Sequence, residues 1–231
     1  MEVSLSRLSA KLKLPFKRKK SGKKYVDDIR TVDDIFRHFT GGEKKERFAV
    51  LAVGNDLKGD DGVGWHAADV LRKKLGNDPE FMILKTAAPE NHASDISEFA
   101  PTLLIIIDAA DFKKRPGTIK YIKEYQVDES FVSTHTTPLA LFLKLYQADQ
   151  PVKRPVTIIG IQKKTNDFGQ PISKPVRKSG EAVAELIADL YKRKLLFSSL
   201  EAELENLSNP LRKISGRLAG KGKTSKKVPE K

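Results

Sequence analysis

The chain has 231 residues, of which 39% are hydrophobic, and it carries a formal net charge of +13 without any cysteine. This hydrophobic content is sufficient for the core of one domain of ordinary size. The absence of cysteine excludes disulfides, thiolate zinc sites and a cysteine nucleophile, so any metal must be bound by oxygen and imidazole ligands.

From residue 48 onward, apolar strands alternate with amphipathic helices. The run Phe48–Val53 is continuously apolar, which is typical of a central parallel strand buried on both faces. This alternation predicts an α/β fold, a three-layer αβα sandwich around a mostly parallel sheet. In chain order, the predicted elements are a short helix at 31–39, a strand at 48–53, a helix at 61–75, a strand at 81–84, a short helix or turn at 92–99, a strand at 103–107, an edge strand at 117–125, a helix at 138–146, a strand at 156–161, a helix at 179–196 and a further short helix at 200–207.

The positive charge is concentrated at the two ends of the chain. Residues 1–47 hold 14 Lys and Arg against 7 Asp and Glu, and residues 195–231 hold 8 against 4, whereas the segment between them holds 21 against 19. We therefore predict a basic N-terminal extension with a short helix (1–47), an α/β domain (48–196) and a basic, partly disordered C-terminal tail (197–231). The nearly neutral body argues against nucleic-acid binding, although the basic ends can attract an anionic partner.

Two features indicate where such a protein resides. The longest apolar run, Leu103–Ile107, is too short to span a membrane, and the N-terminus lacks the long apolar segment of a secretory signal. We therefore expect a cytoplasmic protein without membrane insertion. Because the neutral body shows no large apolar seam, we expect a monomer.

The loop between the first strand and the first helix is rich in glycine and reads Gly54-Asn55-Asp56-Leu57-Lys58-Gly59-Asp60-Asp61-Gly62-Val63-Gly64. It lies at the ligand-binding end of a doubly wound sheet. Its spacing matches neither the dinucleotide fingerprint nor a P-loop, and two adjacent carboxylates would repel a phosphate. Two interpretations remain open at this point: Asp60 or Asp61 caps the helix, or Asp61 binds a cation.

Two further residues are expected at the same edge of the sheet. Asp108 directly follows the most apolar strand, where a carboxylate is costly to bury unless a cation or hydrogen-bond donors meet it. His135 precedes the helix at 138–146. Each has an ordinary alternative, a loop cap for Asp108 and a structural hydrogen bond for His135. Together with Asp61 they would give three ligands with open coordination positions, a set that suits nickel or zinc.

The remaining polar candidates carry weaker signals. Asp111 is expected only to shape a turn. Ser133 lacks the strand-to-helix elbow of a serine nucleophile, and the sequence contains no His-Glu-x-x-His helix. We expect His66 to serve packing, while His38 and His92 have no evident partners.

Five short segments occur in one order within residues 48–194, and together they resemble the NiFe-hydrogenase maturation endopeptidases. The resemblance is strongest to the branch that processes the large subunits of formate-hydrogenlyase-type and related hydrogenases. The segments are Gly54-Asn55-x5-Asp61-Gly62-x-Gly64, Ala88-Pro89-Glu90-Asn91, Asp108-Ala109-x-Asp111, Thr134-His135-x-x-Pro138-Leu139 and Gly160-Ile161-Gln162.

The resemblance implies a hydrolase that removes a short C-terminal extension from a NiFe-hydrogenase large-subunit precursor after nickel has been inserted. It implies that the nickel belongs to the precursor and marks it for recognition. The family's three metal-contacting positions fall on Asp61, Asp108 and His135, and the first of them varies between Asp and Glu in the family. The nickel would orient the scissile peptide or polarise its carbonyl, and Asp61 or Asp108 would activate water.

The chain departs from the family in two places. Members commonly carry glycine just before the Ala-Pro-Glu-Asn segment, where this chain has Lys85-Thr86. This difference bears on how closely the loop approaches the substrate backbone. The extensions 1–47 and 197–231 have no counterpart in the compact members.

Two alternative functions remain open, and the first would use the same three residues. A non-catalytic checkpoint or chaperone would bind the nickel site of the precursor without cutting it. A nucleotide-binding protein would use the loop Gly54–Gly64, although the acidic pair and the lack of a phosphate-binding lysine motif disfavour this alternative.

Overall fold

The computed structural model describes residues 47–122, 124, 127, 136–149 and 154–208. Five strands form a single sheet in the order β2-β1-β3-β5-β4. The first four of these are parallel to one another, and β4 is an antiparallel edge strand. The strands are β1 (Phe48–Val53), β2 (Phe81–Thr86), β3 (Leu103–Ala110), β4 (Ile119–Ile122) and β5 (Val156–Gln162).

Helices cover both faces of this sheet. Within the part of the chain that the structure describes, they are α1 (Val63–Leu75), α2 (Ala93–Phe99), α3 (Thr136–Ala148) and α4 (Lys174–Ser208), with 3-10 turns at Gly59–Gly62 and Pro89–His92. The buried side chains of α1 and α4 form one core with the sheet, and those of α2 and α3 form a second core on its other face. The predicted three-layer αβα sandwich is therefore confirmed.

Strand β3 shows why the sheet is covered on both sides. Leu103, Ile105 and Ile107 belong to the core beneath α1 and α4, whereas Leu104 and Ile106 belong to the core beneath α2 and α3. Side chains of a strand point alternately to opposite faces, so a continuous apolar run requires an apolar layer on each side.

The structure changes the bounds of several predicted elements, most of all those of β3 and α4. Strand β3 does not end at Ile107 but continues to Ala110, because β5 pairs with it as far as Ala110 opposite Gln162. Helix α4 begins at Lys174 rather than 179, since Pro175 is tolerated in a first helical turn. The same helix runs past residue 196 to Ser208 and so includes the predicted helix at 200–207.

Other predicted features lie outside the described residues. These are the N-terminal extension up to residue 46, including the helix at 31–39, and the basic segment 209–231. No helix in the described part of the chain is long and apolar enough to cross a membrane.

Tyr146 of α3 contributes the largest buried side chain of the second core. It is 1% exposed and stacks on Phe142 with the ring centroids 5.7 Å apart. Its hydroxyl is buried, and among the described residues it has no hydrogen-bond partner. Burial raises the pKa of Tyr146 to about 12, with Glu124 adding to the shift and Arg154 opposing it.

We expect Tyr146→Phe to leave the free energy of unfolding at pH 7 unchanged or to raise it by up to about 1 kcal/mol, because it removes an unpaired buried hydroxyl. The folded pKa of Tyr146 lies above the unfolded value of 10, so its contribution is complete below pH 10 and is lost as the pH rises towards 12. The variant should therefore lose less stability over that range than the wild type. Urea unfolding at pH 7, 10 and 11 measures both effects, and a variant less stable at pH 7 by more than about 1 kcal/mol would contradict them.

Candidate functional site

Strands β1, β2, β3 and β5 are parallel, so their carboxyl ends meet at one edge of the sheet. Four segments gather there: the 3-10 turn after β1, the loop 87–92 after β2, Asp108 near the end of β3, and the loop 163–173 after β5. Four of the five motif segments therefore lie at this edge, and α3, which begins with the described part of the fifth, packs on the 3-10 turn Pro89–His92. The edge is the candidate active site.

Two glycines hold the β1–α1 turn against the ends of the strands. A Cβ atom at Gly54 would collide with the backbone oxygen of Asp61, and one at Gly64 would collide with the carbonyl oxygens of Val53 and Ile107. The backbone nitrogen of Asn55 also donates to the Asp61 oxygen at 3.2 Å. These close approaches fix Asp61 above the ends of β1 and β3.

Asp61 and Asp108 are both buried, with exposed fractions of 1% and 0%. They belong to neighbouring elements, because the 3-10 turn that carries Asp61 packs on β3. Asp108 lies within strand β3, opposite Gly160 of β5, rather than in the loop that follows it. The N-cap position of α1 is occupied by Gly62, so neither Asp60 nor Asp61 holds the capping position.

Asp60, adjacent to Asp61, has a different role. Its carboxylate is 0% exposed and accepts hydrogen bonds from the backbone nitrogens of Lys164 at 2.7 Å, Thr165 at 3.2 Å and Ser173 at 2.6 Å. The hydroxyl of Ser173 donates a fourth bond at 3.0 Å. Asp60 therefore joins the β1–α1 turn to the β5–α4 loop. The sequence did not predict this role, since nothing in the local pattern separates Asp60 from Asp61.

His135 and Ser133 lie outside the described residues. Helix α3 begins at Thr136, the next residue in the chain, and it packs on the 3-10 turn Pro89–His92 after β2. Within the residues that the structure describes, no three His, Asp or Glu side chains form a group that could hold a metal ion. The set of Asp61, Asp108 and His135 accordingly stays a prediction.

The departure from the family pattern at Lys85-Thr86 has a structural role. The Lys85 ammonium lies 3.0 Å from the Asp69 carboxylate and 5.3 Å from the centre of the Trp65 ring. The carbonyl of Thr86 accepts hydrogen bonds from the Gly54 nitrogen at 3.0 Å and from the Trp65 indole at 3.3 Å. Both residues therefore fix β2 against α1 and the glycine-rich loop.

Glu90, in the Ala-Pro-Glu-Asn segment, is half-buried. Its Oε2 atom is buried, and it has no hydrogen-bond partner within the described ranges. The segment itself is anchored just upstream, where the Ala88 nitrogen donates to the Thr86 hydroxyl at 2.9 Å.

Three of the weaker candidates have structural roles. The Nε2 atom of His66 lies 3.4 Å from Glu181 of α4, in agreement with the predicted packing role. His92 does have a partner, contrary to expectation, because its Nδ1 atom lies 2.9 Å from Asp95. Asp111 shapes a turn as predicted. Hydrogen bonds from the side chain and backbone of Lys113, and from Gln162, hold the pKa of Asp111 well below its usual range.

Comparison with known proteins relates this arrangement to one family. A family model described as hydrogenase maturation protease matches residues 71–190. The hydrogenase 3 maturation protease of Escherichia coli K12 is 33% identical over 138 residues, which cover 58% of this chain and 84% of that protein.

Solved structures give the same result. The crystal structure of the NiFe hydrogenase maturation protease HycI from Thermococcus kodakarensis superposes with a TM-score of 0.59 and 28% identity, covering 69% of this chain and 99% of that one. The solution structure of the endopeptidase HycI from Escherichia coli gives a TM-score of 0.52 and 30% identity, covering 60% and 87%. The chain therefore belongs to the hydrogenase maturation protease family.

Proposed function

We propose that this chain removes the C-terminal extension from the large-subunit precursor of a NiFe-hydrogenase, and that it does so only once the precursor carries nickel. The observation that carries the proposal is the pair of buried carboxylates, Asp61 and Asp108, at the carboxyl edge of a protease-family sheet. Burying a carboxylate is costly unless it meets a cation or hydrogen-bond donors, and the carboxyl edge of a parallel sheet is where such folds bind ligands.

Asp60 and Asp61, which are adjacent in the β1–α1 turn, have different roles. The carboxylate of Asp60 already accepts four hydrogen bonds from the β5–α4 loop, so it serves the fold. Asp61 is the other member of the pair, in the 3-10 turn that packs on β3, the strand that carries Asp108. This division supports Asp61 as a nickel ligand.

In the proposed reaction, nickel is part of the substrate. Asp61 and Asp108, with His135, would contact the nickel that the precursor carries and thereby bring the scissile peptide to the sheet edge. The ion would orient the peptide or polarise its carbonyl, and Asp61 or Asp108 would take a proton from the attacking water. No resident metal or other cofactor is part of the proposal.

The test is incubation of the full chain with nickel-loaded and nickel-free precursor, followed by mass spectrometry of the large subunit. We expect the loaded precursor to lose its C-terminal extension and the nickel-free precursor to stay intact. Equal trimming of both would overturn the role of nickel. If neither precursor is trimmed, the proposed protease activity is wrong.

Cells that lack this chain distinguish the protease from a checkpoint that binds the precursor without cutting it. An intact C-terminal extension on the large subunit would support the protease, and normal trimming would support the checkpoint. We also propose that the chain is a cytoplasmic monomer, which cell fractionation and light scattering test.

A further inference from the structure

The loops that follow β1 and β5 flank the end of β3. In the sheet order, β3 lies between these two strands, so the turn 54–62 and the loop 163–173 stand on either side of Asp108. They are joined by the Asp60 carboxylate, by a bond from the Asp60 nitrogen to the Thr165 oxygen at 3.2 Å, and by a bond from the Gly169 nitrogen to the Leu57 oxygen at 2.8 Å. We call these two segments the joined loops.

The joined loops expose two large apolar side chains. Leu57 is 56% exposed and Phe168 is 73% exposed, the largest fraction among the large hydrophobic side chains of the described residues. The Leu57–Gly169 bond holds their backbones side by side. A single exposed apolar residue is ordinary, but two on fixed neighbouring loops beside a reaction centre are typical of a binding surface.

We propose that Leu57 and Phe168 form a docking surface for an apolar stretch of the precursor polypeptide next to the scissile bond. The inference rests on the proposed function and specifies how that site holds its substrate. Leu57 precedes Asp61 by four residues, so the proposed surface lies on the same loop as a candidate site residue.

The charges on the joined loops favour an apolar occupant over a charged one. The exposed side chains of Asp56 and Asp167 oppose those of Lys58 and Lys164, and the half-buried Lys163 leaves an excess of only one positive charge, so the surface offers no strong field of either sign. The side chains protrude from open loops, which suits an extended peptide whose apolar residues pack on them.

The double variant Leu57→Ser/Phe168→Ser tests the surface in the full chain, with nickel-loaded large-subunit precursor as the probe. We expect KM to rise about tenfold, as for the loss of important interface side chains, while kcat stays within about twofold. The thermal midpoint should not change, because both side chains are exposed. Leu57→Met and Phe168→Tyr, which keep most of the apolar surface, should keep the wild-type KM.

Leu195→Ser is the matched control. Leu195 is 48% exposed on α4, roughly 30 Å along the helix from its first residue near the joined loops. Wild-type cleavage with an unchanged KM in the double variant would overturn the docking surface and leave the proposed function standing. An equal rise in KM in Leu195→Ser, or in the conservative variants, would also overturn it. If the wild type fails to cleave, the proposed function is overturned and the docking surface falls with it.

Discussion

Asp61→Ala and His135→Ala are each expected to abolish cleavage of the nickel-loaded precursor, lowering kcat/KM by at least about a thousandfold, while the fold stays intact. Groups that act as a unit on one reacting centre lose most of their effect when any one of them is removed. Asp108→Asn should have the same consequence, because it removes the charge of the second buried carboxylate at the edge. Mass spectrometry of the precursor measures the rate, and circular dichroism checks the fold.

Asp56→Ala is the control for this series. Asp56 lies in the same glycine-rich loop as Asp61, but its side chain is exposed. Removing it changes the charge of the loop by the same amount without touching the buried edge, so we expect a rate within about threefold of the wild type. A cleavage rate in Asp61→Ala that is above a tenth of the wild-type rate would remove Asp61 from the metal site. An equal loss in Asp56→Ala would assign the effect to loop charge.

The fold was predictable because its signal is local. Runs such as Phe48–Val53 and Leu103–Ile107 are apolar without interruption and only five or six residues long, which is typical of strands covered on both faces. The parallel arrangement then brings the ends of these strands to one edge, so Asp61 and Asp108 could be assigned to the same region from strand order alone.

What the sequence could not supply depends on distant partners. Asp60 and Asp61 are identical neighbours, and the loop that distinguishes them lies more than 100 residues away, since the Lys164 nitrogen that binds Asp60 is 104 positions further on. The length of β3 likewise depends on β5, which pairs with Asp108 through Gly160. A local sequence pattern contains no information about either contact.

The contact between Asp60 and the β5–α4 loop leads to a second prediction, which concerns the stability of the fold. Asp60→Ala should lower the free energy of unfolding by about 3–5 kcal/mol, because hydrogen bonds to a charged acceptor contribute about 1.5–3 kcal/mol each and the loss of four of them is less than additive. Ser173→Ala removes only the hydroxyl bond and should cost about 1 kcal/mol. Urea unfolding at pH 7, with the midpoint and slope fitted together, measures each loss.

Asp60→Asn should lower the free energy of unfolding by less than Asp60→Ala and by more than Ser173→Ala. Its amide keeps one acceptor oxygen, but it turns an NH2 group towards the donors of Lys164, Thr165 and Ser173. Asp61→Ala should show the opposite profile, with near wild-type unfolding and no cleavage. An Asp60→Ala protein within about 1 kcal/mol of the wild type would mean that the β5–α4 loop does not depend on this carboxylate. The two backbone bonds between the joined loops, from Asp60 to Thr165 and from Gly169 to Leu57, would then suffice to hold them. The expected loss instead makes the Asp60 carboxylate the main link between these loops at the candidate site.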